Sequence, residues 1–285
     1  MAIARSAAFG WTVIAIGLAA AAGAIKGGEA LATRITVDSL AAGNVVFYTL
    51  LFAPLVVLSL LLGLIERRHV LRAGDAPGRW GLLGLATGAG GLATCVVYIW
   101  LHGGLQPEDN PVVPQGFVAL GLAIALMGVL AEELLFRGWL QSALEDRVGG
   151  QWAVLLSAIA FSAFHLWAGG ATDAISLANL LLGGMWFGLL AQRSGGLIAP
   201  VAAHLGWNVA EDIGFGLVPN PGVGDLGALS NHQMIGSAIW GGSDEGLNAS
   251  IAMTVVLAAL VIPLLPAFTR PRKSHEASQR EPSLR

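Results

Sequence analysis

The sequence predicts an all-α fold, a polytopic transmembrane helix bundle of about eight spans. Three observations carry that reading. Of the 285 residues 55% are hydrophobic and 12% charged, with a mean hydropathy of +0.70, about half the charge of an ordinary soluble domain. Apolar runs able to cross ~30 Å of hydrocarbon, which takes about 20 helical residues, fall at 8–25, 43–65, 81–101, 116–142, 152–168, 174–191, 197–214 and 250–268. An even number of spans puts both termini on one side, and the positive-inside rule then sorts the loops. Arg5, Arg67, Arg68, Arg72, Arg79, Arg147, Arg193, Arg270, Arg272, Lys273, Arg280 and Arg285 fall together, against Lys26 and Arg34 opposite. The expected location is the cell membrane, multi-pass, with both termini cytoplasmic.

Residues 1–115 form an accessory group of transmembrane helices. The first span has Arg5 ahead of an apolar stretch and the small-residue string Ala22-Gly23-Ala24, the pattern of a cleavable signal peptide; retention of the span is what makes the even count agree with the charge bias. Gly84 with Gly88, and later Gly184 with Gly188, are small residues at helical spacing that let membrane helices approach closely. Cys95 is the single cysteine, which excludes an intrachain disulfide and a Cys-rich metal site. Pro107, Pro111 and Pro114 break the chain before a core at 116–214. A long Gly- and Pro-rich extracytoplasmic loop follows at 215–249, then the last helix at 250–268 and a basic cytoplasmic tail at 269–285. The charges sit in loops and in one helix, and the net charge is only −3, so the expected partners are membrane lipid and a peptide or protein substrate near the cytoplasmic face, with no nucleic acid.

The fourth span is the one to explain. Glu132, Glu133 and Arg137 lie within six residues of an otherwise apolar stretch, and each such charge costs roughly 2.5–3.5 kcal/mol at a helix centre unless pairing, water or function compensates. Glu133 and Arg137 stand at i and i+4 and can pair, whereas Glu132 is turned about 100° away and is left free for chemistry. Three further polar residues interrupt later spans: His165, His204 and Asn208, the last two at i and i+4. A carboxylate and two imidazoles from three helices, with an amide beside one imidazole, can take a proton from water, return one to a leaving amine and steady an oxyanion. Counted at 1.5 Å per residue from the inner helix ends, Glu132 lies ~15 Å, His204 ~10 Å and His165 ~20 Å deep, and the expected cavity is in the cytoplasmic half of the membrane. Glu211 and Asp212 read as interfacial carboxylates, with a supporting role in the site as the alternative.

Glu132-Glu133-x-x-x-Arg137, Phe161-x-x-x-His165 and His204-x-x-x-Asn208, in that order on successive helices, resemble the three motifs of the CAAX prenyl protease and bacteriocin-processing (CPBP) family of intramembrane proteases. Trp240-Gly241-Gly242-Ser243 is a weaker echo. The resemblance implies an all-helical endopeptidase in which Glu132 activates water with help from His165, His204 and Asn208 bind the oxyanion, and Glu133 with Arg137 holds the site together. Substrates of the kind the family name suggests are prenylated tails or leader peptides.

On mechanism two readings stand. A glutamate mechanism without a cofactor is favoured; the alternative is zinc held by Glu132, His165 and His204, as in a two-His, one-Glu metalloprotease site. The one-helix H-E-x-x-H arrangement is absent, as is the rhomboid-type Gly-x-Ser-Gly. Gly222-Val-Gly-Asp225 matches the Gly-x-Gly-Asp string of presenilin-like proteases but lies in a polar loop with no partner aspartate in a membrane helix, and a dyad needs two carboxylates side by side. The rival functions are an ion- or proton-coupled transporter with Glu132, Glu133 and His165 as a proton relay, and a catalytically silent membrane chaperone or immunity protein. No internal repeat provides the two matching halves of many transporters.

Overall fold

The computed structural model describes residues 7–107, 117–217 and 228–265. Arg5, Pro111, Pro114, the Gly222–Asp225 string and the 269–285 tail lie outside them. The eight apolar runs become eight helical bodies: α1 (Ala7–Ala32), α2 (Leu40–Glu66), α3 (Pro77–Leu101), α4 (Val118–Glu133), α6 (Gly150–Ala168), α7 (Ala174–Ser194), α8 (Ile198–Asn208) and α9 (Ile251–Val261). The α4 body runs on without a break through a π-helix, Leu134–Gln141, into α5 (Ser142–Val148), and α8 continues as a second π-helix, Val209–Gly214. Among the described residues six bodies are long and apolar enough to span a membrane; the α9 helix is shorter. The only sheet there is a two-stranded antiparallel pair, β1 (Leu105–Pro107) with β2 (His232–Met234).

Large apolar side chains are exposed as well as buried, and several polar ones are enclosed among the helices. Leu64 and Leu82 expose 74% and 70% of their surface, while Glu133 and Asn179 are completely buried. Polar side chains hold the helices from within. Asn179 donates to the carbonyls of Asn248 (2.8 Å) and Ser250 (2.9 Å) and accepts from the Thr254 hydroxyl (2.6 Å), which joins α7 to the start of α9. Ser157 on α6 donates to Phe136 O at 2.9 Å, and Gln141 to Gly188 O of α7 at 3.0 Å. The whole-body architecture is thus the expected multi-pass helix bundle, stabilised by buried hydrogen bonds where lipid offers no hydrophobic drive between helices.

Two glycine contacts fix α8, the helix that carries His204. A Cβ built on Gly88 of α3 would lie 2.1 Å from Ala203 O, and one on Gly84 would lie 2.5 Å from Ala199 O. Only the absence of side chains lets α3 and α8 touch backbone to backbone. A Cβ built on Gly184 would likewise lie 3.0 Å from Ala158 Cα, across α7 and α6. The small-residue spacing noted in the sequence marks real contacts in both cases.

The two ends of the bundle differ. At one, Arg68 pairs with Asp146 (2.7 Å), Arg147 with Glu66 (2.7 Å), and Trp139 Nε1 donates to the second Glu66 oxygen (2.9 Å). Asp75 N donates to Ser194 O, and Leu197 N to Arg72 O, so the 67–76, 145–150 and 193–197 turns form one knot. At the other end β1 pairs with β2, and Trp240 stacks on His102 (5.0 Å, 15°). There the Glu245 carboxylate accepts from Thr172 N (2.8 Å) and Asp173 N (2.9 Å), the amides that precede α7. The grouping of loops into two ends agrees with alternating spans. Ala22–Ala24 lies inside the unbroken α1 helix. Trp240 and Gly241 serve to close loops rather than to line the cavity described below.

Two predictions come from these contacts. Gly88→Val should force α3 and α8 apart and lower the melting temperature in detergent, since overpacking costs ~1–3 kcal/mol; Gly90→Ala, with open space at its Cβ, should melt with the wild type. Equal melting of all three proteins would contradict the close contact. The second concerns Glu245. Burial pushes its pKa up, but the Ser176 and Thr172 hydroxyls and the Thr172 and Asp173 amides outweigh that and hold it down from 4.5 to about 2. A depressed carboxylate contributes stability above its unfolded pKa and loses it as pH falls through the folded one. Glu245→Gln should therefore melt below the wild type at pH 7, and the difference should shrink between pH 4.5 and about 2; a gap that widens on acidification would refute the clamp.

Candidate active site

The site is assembled where α4 gives way to its π-helix. Glu133 is the last α-helical residue, and the wider turn that follows carries Arg137; π segments of this kind recur at functional sites. Despite the change in pitch the pair closes: Arg137 Nη1 donates to Glu133 Oε1 at 2.8 Å, and both side chains are fully buried. Arg137 Nη2 reaches Gly184 O on α7 at 3.1 Å, and the guanidinium lies 4.6 Å from the Phe161 ring and 5.2 Å from the Phe187 ring. The charge is enclosed by a carboxylate, a carbonyl and two aromatic faces, the last two contributing cation–π attraction where water is excluded.

Glu133 has a second partner that helical spacing could not reveal. His204 Nδ1 donates to the same Oε1 at 2.9 Å, since a carboxylate bound to arginine can only accept. The imidazole is stacked on Phe187 (4.5 Å, 19°), so its rotation is set from two directions. Its other nitrogen, Nε2, consequently faces Glu132, 3.8 Å from Oε2: ion-pair range, but beyond a hydrogen bond. Glu132 Oε2 is buried and has no hydrogen-bond partner. The two adjacent glutamates thus differ in surroundings. Glu133 is enclosed, with Oε1 doubly bonded and Oε2 without a hydrogen-bond partner, and Glu132 is partly open.

His165 lies near the end of α6. Its Nδ1 donates to Phe161 O, one turn back, at 2.9 Å, which leaves Nε2 as the free nitrogen. Glu132, His165, His204 and Asn208 all line one cavity of ≈ 320 Å³, near the lower end of the ~300–1,000 Å³ typical of ligand sites. Glu133 and Arg137 stand behind its wall. Asp212, which reads in the sequence as an interfacial carboxylate with a supporting role in the site as the alternative, also lines the cavity, and its Oδ1 has no hydrogen-bond partner. Phe187 and Asn179 carried no signal in the sequence, because an aromatic or amide within an apolar helix reads as packing.

The cavity lies toward one end of the bundle. Its lining comes from the halves of the helices remote from the Arg68–Asp146–Glu66–Arg147 knot: Glu29 of α1, Tyr48 of α2, Ala168 at the end of α6, and Asn248 before α9. On the orientation expected from the sequence, with both termini cytoplasmic, this would be the outer half of the membrane. Counting residues placed the polar groups astride the midplane, and side-chain packing decided which half stayed hollow. Trp139, Leu140 and Leu144 fill the other.

Among the described residues no three His, Cys, Asp or Glu side chains lie close enough to hold a metal ion. Glu132 and His204 approach each other, but His165 does not complete a ligand set with them.

Residues 114–210 match the family model described as type II CAAX prenyl endopeptidase Rce1-like. The matched segment contains Glu132, Glu133, Arg137, His165, His204 and Asn208. No curated protein and no solved structure matches the chain.

Proposed function

We propose that this multi-pass membrane protein, which belongs to the CAAX-protease family through its Rce1-like segment 114–210, hydrolyses a peptide bond of a membrane-associated protein by a glutamate mechanism. The family supports a CAAX-type intramembrane endopeptidase in general. The finer reading rests on one observation: a single buried oxygen, Glu133 Oε1, accepts from both Arg137 and His204, and thereby aims His204 Nε2 at Glu132 Oε2, which has no hydrogen-bond partner.

The chemistry follows from what each group has free. Glu132 takes a proton from a water in the cavity as the water oxygen attacks the scissile carbonyl carbon. The C=O pair moves onto oxygen, and the oxyanion is met by the Asn208 amide and, when the His204 ring carries a second proton, by its Nε2–H. His165, with Nδ1–H committed to Phe161 O, offers Nε2 as an acceptor that holds the attacking water. Collapse of the tetrahedral intermediate breaks the C–N bond, and the proton held by Glu132 passes to the leaving amine. Glu133 and Arg137 do not touch the substrate; they position His204 and balance charge.

Glu132→Gln should insert and melt like the wild type and lose cleavage by roughly 10²–10⁴-fold, the usual range for a general acid–base group. Glu133→Gln and Arg137→Ala should lose thermal stability as well as rate, because removing one partner of a buried pair costs ~3–5 kcal/mol. Product mass spectrometry and melting curves on purified variants separate the outcomes. Full cleavage by Glu132→Gln, or a melting loss confined to it, would reverse the roles.

A further inference from the structure

The hollow half of the bundle and the distribution of cations point in opposite directions. The filled end carries Arg67, Arg68, Arg72, Arg79, Arg147 and Arg193, all within a few residues of helix termini. The hollow end carries Lys26 and Arg34, and Lys26 is paired with Glu29 at 2.9 Å. Lys and Arg in short loops near span ends set the orientation of a membrane protein, with the richer side cytoplasmic. The filled end is therefore the cytoplasmic one, and the end where the cavity is lined by Glu29, Ala168, Gly169, Gly170 and Asn248 faces outward.

We infer that substrate reaches Glu132 from the extracytoplasmic face, so that the protein cuts the outward-facing segment of a membrane-anchored protein and not a tail displayed in the cytoplasm. The wall chemistry fits such a segment. Phe47, Tyr48, Phe52 and Phe164 form an apolar flank beside Glu132 and His165, suited to residues emerging from the outer leaflet, while Glu29 and the Gly169–Gly170 backbone supply polar lining. The route from the cytoplasm is blocked by side chains: Trp139 is completely buried, with its indole nitrogen bonded to Glu66, and Arg147 and Arg68 lie across the same end. The side of access rests on packing and charge alone; that a peptide is cut there rests on the function proposed above.

The two parts are tested separately. Single cysteines at Ala168→Cys, Asp244→Cys and Arg193→Cys, in a Cys95→Ala background, are treated in intact cells with a membrane-impermeant sulfonated maleimide, then again after permeabilisation. Ala168→Cys and Asp244→Cys should label in intact cells, and Arg193→Cys only after permeabilisation. The reverse pattern overturns the inference, and so does labelling of Asp244→Cys without Ala168→Cys, which would mean that the cavity is closed on that side. In membranes, new protein termini that depend on Glu132 should map to extracytoplasmic segments; termini in cytoplasmic segments overturn the substrate assignment even if labelling goes as expected. Absence of any Glu132-dependent product in detergent, where both faces are accessible, would instead sink the catalytic reading and leave the labelling result standing.

Discussion

One carboxylate oxygen carries much of the site. Glu133 Oε1 accepts from the guanidinium of Arg137 and the imidazole of His204, and Arg137 goes on to bond α7 at Gly184 O and to lie against Phe161 of α6. Four helices therefore meet at a single charge cluster in the interior. In a bilayer an unpaired charge there would be expensive, so the helices are locked into the arrangement that pairs it. Loss of either partner would leave the other buried without compensation. The arrangement that satisfies the charge is also the one that orients His204, so stability and the aim of the site are served by the same contacts.

Glu132 and Glu133 show how neighbouring residues of one type can be given different environments. Their Cβ directions differ by about 100° on a helix, which is enough to place one against Arg137 and the other toward the cavity. The π-helix that begins at Leu134 widens the turn immediately after them, and a second π segment begins at Val209, immediately after Asn208. Both irregular stretches thus abut residues of the three motifs. The broader turn is held by neighbours: Ser157 bonds the Phe136 carbonyl and Ser142 those of Gly138 and Trp139.

The bundle is polarised along its axis. One end is a knot of arginines, carboxylates and a buried tryptophan; the other is a cavity beneath loops held by β1–β2, the His102–Trp240 stack and Glu245. His102 and Glu245 hold that end together through contacts with loops far away in the chain, and contacts between residues distant in the chain leave no periodic trace.

The sequence by itself determined the class of structure, the number and approximate limits of the helical bodies, and the motif residues. These follow from run length against bilayer thickness and from the cost of charge in an apolar span, both local properties of the chain. It also determined the Glu133–Arg137 pair, because a four-residue offset on a helix fixes proximity. What only the tertiary structure decided was the second partner of Glu133, the stacking of Phe187 on His204, the position of Asp212 at the cavity wall and the half of the bundle that is hollow. Each depends on how helices far apart in sequence are rotated and packed against one another. Gly88 shows the limit between the two: its spacing from Gly84 announced a close contact, but that the contact is with α8, and so positions His204, is set by the packing of Ala203 against it.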